Sequence, residues 1–350
     1  MTKVLVHIVV HESYPYLAAV LESLRNQIGD FAVAVQVTEN GPSQQFDSSS
    51  IEQVCCEGNA TLFRNDINLG FSAAHNQAVF RFLPADFDYL LVLNPDLALK
   101  EDCLGLLLDS LKNLESKVPV YASPLLLRAS ETLAPLEPEI IDSAGIVFSP
   151  TLRHFDRYAE RKLQEVELCS GFIVGGSGAC LLFPRAAIEA LVLPVNEYQE
   201  QLYEVFPELK TGADERVGLF DEAFFAYRED AELALRAQSL GVRGYLNVEA
   251  LGYHVRRVTP ERRKALTADV NRHSVRNRFL LQVLHWSPLK NPESILPGFL
   301  FRNLLVLFGV FLRERSSLAA LKQVCVLWKR AWARRRYLKS ACLERPQSYV

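Results

Sequence analysis

The sequence predicts an α/β protein with a mostly parallel central sheet flanked by helices and a helical appendage at the C-terminus. Over the first third of the chain, aliphatic or β-branched runs alternate with stretches of helical periodicity, the pattern that right-handed crossover connections impose. Asp88-Tyr89-Leu90-Leu91-Val92-Leu93 is a continuous apolar run that stops abruptly at Asn94-Pro95-Asp96, as a strand buried on both faces would. With 350 residues and 49% hydrophobic content, the chain can bury a sizeable core, which excludes disorder as the default.

Taken in order, Val4–Val10 is the first strand, too short and too interrupted by His7 to be a secretory signal core. Tyr16, Leu17, Val20, Leu21 and Leu24 then recur at helical spacing. Phe31–Val37 is a second strand and ends in the turn formers Thr38-Glu39-Asn40-Gly41-Pro42-Ser43. Ala60–Phe63 is a third, followed by a helix over Phe71–Leu83, the strand ending at Leu93, and a helix near Leu97–Leu111. Val118–Leu127 and Ile140–Phe148 read as further strands around a polar loop, Ala129–Glu139; the second contains Asp142-Ser143-Ala144-Gly145. Phe172–Phe183 is an apolar run broken by Gly175-Gly176-Ser177-Gly178, the mark of a bulge or of a ligand approaching the backbone. Glu197–Asp214 is polar and acidic, a predicted surface loop. Ala231–Leu240 is helical and capped by Gly241, and Val242–Val248 returns as a strand.

Pro95 cannot donate to a ladder, so Asn94 and Asp96 stand just past the carboxyl end of a central strand, where open α/β sheets bind ligands. A carboxylate there suits a hard divalent cation shared with substrate phosphates, or else simply caps the helix that follows. Glu229 and Asp230 fall at a helix N-terminus, as capping acids or as reacting carboxylates. His254 alone carries no assignment. A net charge of −3 argues against a general nucleic-acid binder. Seven cysteines without metal-like spacing, and no secretory signal, predict a reducing, cytosolic compartment.

Across roughly residues 4–285 these patches resemble family-2 inverting glycosyltransferases of the GT-A fold, in particular their rhamnosyltransferase-like branch. Asn68-Leu69-Gly70-Phe71-Ser72-Ala73-Ala74-His75-Asn76 is similar to that family's N-x-G-F-A-x-G-x-N. Phe220-Asp221-Glu222-Ala223-Phe224-Phe225, with Glu229-Asp230-Ala231-Glu232-Leu233-Ala234-Leu235-Arg236, is similar to its F-D-E-x-F-F and E-D-x-D-L-x-x-R. The resemblance implies a donor half at about residues 1–115 and an acceptor or catalytic half at about 116–285. It implies donor contacts from Glu39, Asn40, Asn68, Gly70, Asn94 and Asp96, with Glu39 beside the nucleobase and Asn94 near the ribose. Asp96 and His254 would hold Mg²⁺ or Mn²⁺ on the diphosphate, Asp230 would be the base with Glu229 beside it, and Arg276-Asn277 would meet phosphates of donor or acceptor. The chain departs from the pattern at Glu39 and Asn94, where Asp is usual, at His11-Glu12-Ser13 for Thr-Tyr-Asn, at Ala74 for Gly and at Glu232 for Asp. These changes spare the implied metal ligands and base and leave the nucleotide open. dTDP-rhamnose is the first expectation for the donor, with UDP-galactofuranose or UDP-N-acetylglucosamine as alternatives and a catalytically silent nucleotide- or glycan-binding protein as the contrasting class. The acceptor is expected to be a glycan or a lipid-linked glycan.

Residues 286–350 form the predicted appendage. Residues 299–350 carry 11 Lys and Arg against 2 Asp and Glu, a local +9 set against −12 in residues 1–298. Phe299–Leu312 is apolar but too short for a spanning helix, which needs about 20 residues. Trp328–Lys339 interleaves basic residues with Trp and Tyr, which suits an interfacial helix on an anionic membrane; a packed helical hairpin with a solvated basic edge is the plainer alternative. No nucleic-acid partner is expected, and the sequence assigns no oligomeric state.

Overall fold

The computed structural model describes residues 1–43, 46, 48–210, 218–256, 268–287, 295–312 and 317–344. The first half alternates strand and helix: β1 (Thr2–Val10), α1 (Tyr14–Arg25), β2 (Phe31–Asn40), α2 (Ser48–Glu57), β3 (Ala60–Asn65), α3 (Gly70–Phe82) and β4 (Tyr89–Leu93). A short β5 (Leu97–Leu99) precedes α4 (Cys103–Asn113) and β6 (Val120–Arg128). Four short strands follow, β7 (Ile141–Ser143), β8 (Ile146–Phe148), β9 (His154–Asp156) and β10 (Gly171–Ile173), before β11 (Cys180–Pro184). The remainder is α5 (Arg185–Leu191), α6 (Gln199–Val205), α7 (Glu229–Ser239), β12 (Arg243–His254), α8 (Ala268–His285), α9 (Phe301–Leu312) and α10 (Leu318–Glu344).

The main sheet runs β10-β12-β6-β11-β4-β1-β2-β3, with β5 added to β12 and β7 to β6. β3, β2, β1 and β4 are mutually parallel, and so are β6 and β12. Between these two parallel groups β11 is antiparallel to both neighbours, because residues 129–179 return without a crossover helix. β1 and β4 are almost wholly buried, with α1 and α4 covering one face and α3 and α5 the other. The apolar spacing read for α1 is the face it buries: Tyr16, Leu17, Val20, Leu21 and Leu24.

Several boundaries differ from the sequence reading. Asp96 caps no helix: β5 follows it, and α4 begins only at Cys103. The expected strand over residues 140–148 divides into β7 and β8 where Gly145 takes φ +96°, a turn the local sequence permits. Gly175-Gly176-Ser177-Gly178 is not a bulge within one strand but part of the turn between β10 and β11. The acidic stretch from residue 197 is largely helical to residue 210, since Leu202, Phe206 and Leu209 fall on one buried side; residues 211–217 lie outside the described residues. β12 continues past Val248 to His254 through an irregularity between Asn247 and Leu251.

Residues from the appendage are part of the same packing. Leu327 and Ala331 of α10 share a buried cluster with Leu280, Leu281 and Leu284 of α8 and with Phe224, while Leu338 joins the cluster under α5 and α7.

Candidate functional site

The carboxyl end of β4 and the end of β12 meet through β5. Leu97 pairs with His254 in the antiparallel register, and the Val255 N–H donates to the Asp96 carbonyl at 3.0 Å. This places His254 Nε2 3.5 Å from Asp96 Oδ1, an oxygen that is buried and has no hydrogen-bond donor. On the other side of the ring, Nδ1 donates to Asp142 Oδ2 at 2.8 Å. Asp142 in turn accepts from Arg256 at 3.1 Å, and Arg256 donates to Asp156 at 2.6 Å. Burial works against a charged ring, but the carboxylates of Asp142 and Asp96 outweigh it and lift the His254 pKa to about 10. With Nδ1–H committed to Asp142, Nε2 is the nitrogen turned toward Asp96, the arrangement by which a second carboxylate orients a metal-ligating histidine. Asp96 and His254 therefore fit one edge of a divalent-cation site. Among the described residues no three His, Cys, Asp or Glu could enclose an ion, so the rest of its shell would come from water and ligand oxygens.

The donor-side residues form a buried amide lattice. Asn40 Nδ2 donates to Asn68 Oδ1 at 2.9 Å, while Asn40 Oδ1 accepts from Asn65 Nδ2 and from the Leu69 N–H, both at 3.0 Å. Asn68 Oδ1 also takes the Gly70 N–H at 2.8 Å, where Gly70 holds φ +77°. Asn40 thus ties the ends of β2 and β3 to the start of α3. Glu39 is buried with both oxygens engaged, accepting from Tyr14 Oη at 3.0 Å and from Arg64 Nε at 2.8 Å. A group arriving here would meet the half-exposed Arg64 that Glu39 orients, rather than a bare carboxylate. Asn94 donates its backbone N–H to the Ala179 carbonyl at 2.8 Å.

The acids at the start of α7 lie across that same turn. The N–H of Gly178, one residue before Ala179, donates to Asp230 Oδ2 at 3.1 Å, and the Ala231 N–H donates to Oδ1 at 2.7 Å. A Cβ on Gly178 would come within 3.2 Å of the Asp230 Cβ, so the glycine allows the approach. Glu229 is buried, and its Oε2 has no partner. Burial and then the neighbouring Asp230 push its pKa to about 8. Burial raises Asp230 too, but the N–H groups of Gly178 and Ala231 at the helix N-terminus oppose that shift, so Asp230 is the better placed of the pair to carry the charge.

The backbone entering α7 is strained. Phe225 holds φ +61°, ψ −71° with the Ala226 N–H on the Phe224 carbonyl at 2.7 Å, a γ-turn, and Tyr227 and Arg228 hold φ +70° and +68°. Asn277 Nδ2 holds this loop, lying 2.7, 2.9 and 2.6 Å from the carbonyls of Phe224, Ala226 and Tyr227, and Arg276 donates to the Phe224 carbonyl at 2.8 Å. Both side chains are fully buried. Where phosphates were expected to meet Arg276 and Asn277, the Asn277 amide and Arg276 Nη2 are instead spent on backbone carbonyls of residues 224–227, and Arg276 Nε and Nη1 donate to Asn277 Oδ1 and Gln323 Oε1 at 3.0 and 3.2 Å. Ser72 at the start of α3 donates its N–H to the Phe225 carbonyl at 3.0 Å, and the Phe225 ring stacks between Phe206 and His273 at 5.0 and 4.9 Å. Asn76 Nδ2 donates to the Phe220 carbonyl and its Oδ1 accepts the Phe220 N–H, each at 2.9 Å, so the two motif segments are bonded to each other.

Residues 5–172 match the Glycosyl transferase family 2 domain. The chain carries a family-2 glycosyltransferase domain over those residues. It is 25% identical to rhamnosyltransferase WbbL of Escherichia coli K12 over 244 residues, 67% of this chain and 77% of that protein. Its fold is similar to that of GalNAc-T7, solved with UDP, GalNAc and Mn²⁺, at a TM-score of 0.56 and 13% identity, over 91% of this chain and 54% of that one. It is also similar to residues 1–349 of Staphylococcus aureus TarS with UDP-GlcNAc, at 0.50 and 14%, over 98% and 89%. The α/β architecture is thus GT-A.

Within this glycosyltransferase the sequence reading overlooked the supports. Asp142 was visible as an acid inside an apolar strand, a residue type seldom buried unpaired, and it is the partner of His254. Arg256 and Asp156 gave no local signal. His154 and Arg228, whose Nη1 donates to His154 Nδ1 at 3.1 Å, meet only through the β8–β9 hairpin.

Proposed function

We propose that this glycosyltransferase moves a sugar, rhamnose in the first instance, from a nucleotide-sugar to a hydroxyl of a glycan or lipid-linked glycan at a membrane face, inverting the anomeric centre. The observation that carries the reading is the turn at Gly178-Ala179, which bonds the Asn94 backbone on one side and Asp230 on the other. The end of the donor strand and a charged carboxylate thereby share one edge. Asp230 takes the proton from the acceptor hydroxyl during attack, a step worth about 10²–10⁴-fold. Glu229, holding its proton, keeps a second negative charge out of the site. Asp96 and His254 are the ligands for Mg²⁺ or Mn²⁺, and Asp142 fixes the ring through Nδ1. The cation, when bound, offsets the charge that develops on the departing diphosphate. One working carboxylate suffices because the diphosphate leaves without protonation. Rhamnose rests on the similarity to WbbL. The UDP and UDP-GlcNAc bound in the two structural neighbours keep a UDP-sugar as the second reading.

A thermal-shift series of dTDP, UDP, GDP and their sugars, with and without Mn²⁺ or Mg²⁺, tests the donor site. A nucleotide at about 100 times its dissociation constant stabilises the fold by roughly 2.7 kcal/mol. One nucleotide should do so in a metal-dependent manner, and Asp96→Ala should abolish it. Asp230→Asn should bind that donor and, with acceptor present, transfer the sugar and release nucleoside diphosphate at least ~100-fold more slowly. Silence toward every nucleotide, or normal turnover by Asp230→Asn, would overturn the assignment.

A further inference from the structure

The basic character of the C-terminal region drew attention to Trp328–Lys339, but the structure spends those arginines internally. Arg330 donates to Asp221 at 2.7 Å, Arg334 to the Pro194 carbonyl at 2.9 Å, Arg335 to the Val283 and Trp286 carbonyls at 2.7 Å, and Arg336 pairs with Glu197 at 3.0 Å. Among the described residues, the longest run of exposed large apolar side chains is on α9. Its inner side is fixed by Asn303, which exchanges bonds with Gln282 and Arg278 at 2.9 Å, and by the buried Val310. Its outer side presents Phe301, Leu304, Leu305, Phe308 and Phe311, with Leu300 just before them, each 46–64% exposed. Large apolar side chains at helical spacing form one continuous stripe, far beyond the scattered exposure normal for a surface.

Next to the stripe, a groove of about 310 Å³ between α8, α10 and the turn before α9 is lined by Phe279, Val283, Trp286, Phe299, Trp328 and Trp332. Trp328 and Trp332 stand 50% and 45% exposed at its rim. On the opposite side, an open cleft of about 480 Å³ separates the first turn of α9 from the β8–β9 hairpin. That hairpin carries His154, the partner of Arg228, which immediately precedes Glu229.

We infer that α9 is a membrane-inserting element that lies in the plane of an anionic lipid surface, with Trp328 and Trp332 at the headgroup level, and so turns the β8–β9 side of the cleft toward a lipid-borne acceptor. The inference rests on the transferase reading and gives its acceptor class a docking surface. A helix of 12 residues cannot span, and no described helix is long and apolar enough to cross a membrane, so the stripe lies flat. Lys322, Lys329 and Lys339 are the exposed charges of α9 and α10 without a described acidic partner, which suits anionic headgroups. A second copy docked two-fold on the same face would oppose these like charges.

The full-length protein is mixed with vesicles of phosphatidylcholine alone and of equal parts phosphatidylcholine and phosphatidylglycerol. Co-flotation and tryptophan emission are read together, since the only tryptophans, Trp286, Trp328 and Trp332, all line this groove. The anionic vesicles should carry the protein and shift its emission to the blue, and most of the binding should survive high salt because apolar burial drives it. The double variant Leu304→Glu with Phe308→Glu should lose vesicle partition at least ~100-fold, two large apolar side chains no longer entering lipid. Its metal-dependent thermal response to donor nucleotide should be unchanged, which keeps failure of the docking surface distinct from failure of the transferase reading. No flotation with either vesicle would overturn the inference. So would flotation abolished by Lys322→Glu with Lys329→Glu but untouched by the apolar variant, or a dimer in sedimentation velocity that only the apolar variant dissociates.

Discussion

Asn277→Ala separates holding a loop from holding a phosphate. The amide nitrogen of Asn277 has two hydrogens for three carbonyls, and Phe224 retains Arg276 and the Ala226 N–H without it. The variant therefore leaves the carbonyls of Ala226 and Tyr227 without their donor in a half-buried setting, at about 1–2 kcal/mol each. Against that, the γ-turn at Phe225 and the left-handed residues Tyr227 and Arg228 store roughly 1–3 kcal/mol apiece, part of which is released if the loop relaxes. The balance is a loss of no more than about 4 kcal/mol in unfolding free energy by chemical denaturation. The functional consequence is larger, because relaxation moves the first turn of α7 and with it Asp230. A displacement on the order of 1 Å costs up to ~100-fold in turnover. Donor affinity, measured by titration of nucleotide with metal, should stay within a factor of about three, a change under ~1.4 kcal/mol, since the Asn277 amide is engaged by backbone carbonyls. If turnover and stability both hold while nucleotide affinity collapses, then Asn277 meets phosphate after all and the loop-clamp account is wrong.

The other consequences are electrostatic. Glu229 has its pKa raised to about 8 in the fold, so its contribution is complete below its unfolded value near 4.5 and is lost as pH rises through about 8. Glu229→Gln removes that slope and should exceed the wild type in stability by at least ~1 kcal/mol at pH ~9, while keeping turnover within ~10-fold; parallel stability curves would refute the assignment of the proton to Glu229. Asp221 behaves in the opposite sense: burial opposes its charge, but Arg330 and Arg334 hold its pKa at about 2. Its stabilisation is present above the ordinary carboxylate range and is lost as pH falls toward 2. Arg330→Met leaves a buried carboxylate short of its closest cation and should cost about 3–5 kcal/mol, with the acid-unfolding midpoint moving to higher pH; an unchanged midpoint would show that Arg334 alone suffices.

What the sequence made legible follows from the range of the interactions involved. The α1 face, the buried β1 and β4 and the Gly241 cap are local, and hydrophobic spacing or a single residue type reports them directly. Asp96, Asp230 and His254 were readable because strand ends and motif order place chemistry-bearing residues in the chain. Which group supports which was not readable. Asp142 lies 112 residues before His254 and Arg276 lies 52 after Phe224, and no periodicity links such pairs. Glu39 is the instructive case: its place at the end of β2 was legible, but Tyr14 and Arg64 already occupy its oxygens, which only the packing reveals.

The charge asymmetry is best understood through those same long-range pairs. A segment of net +9 following one of −12 looks like a separate module seeking an anionic partner. In the fold α10 lies against α6 and α8, its arginines cross to Asp221, Glu197 and the carbonyls of Pro194, Val283 and Trp286, and two of them, Arg330 and Arg334, are buried to 3% and 4% exposure. Asp221 opens the motif whose Phe224 and Phe225 shape the strained loop before Asp230. The C-terminal helix therefore supplies counter-charge to the residues before it, and truncating it would leave the buried Asp221 carboxylate without its two cations. Of the composition that first suggested a membrane, the arginines serve the core, and what α9 leaves exposed is apolar rather than basic.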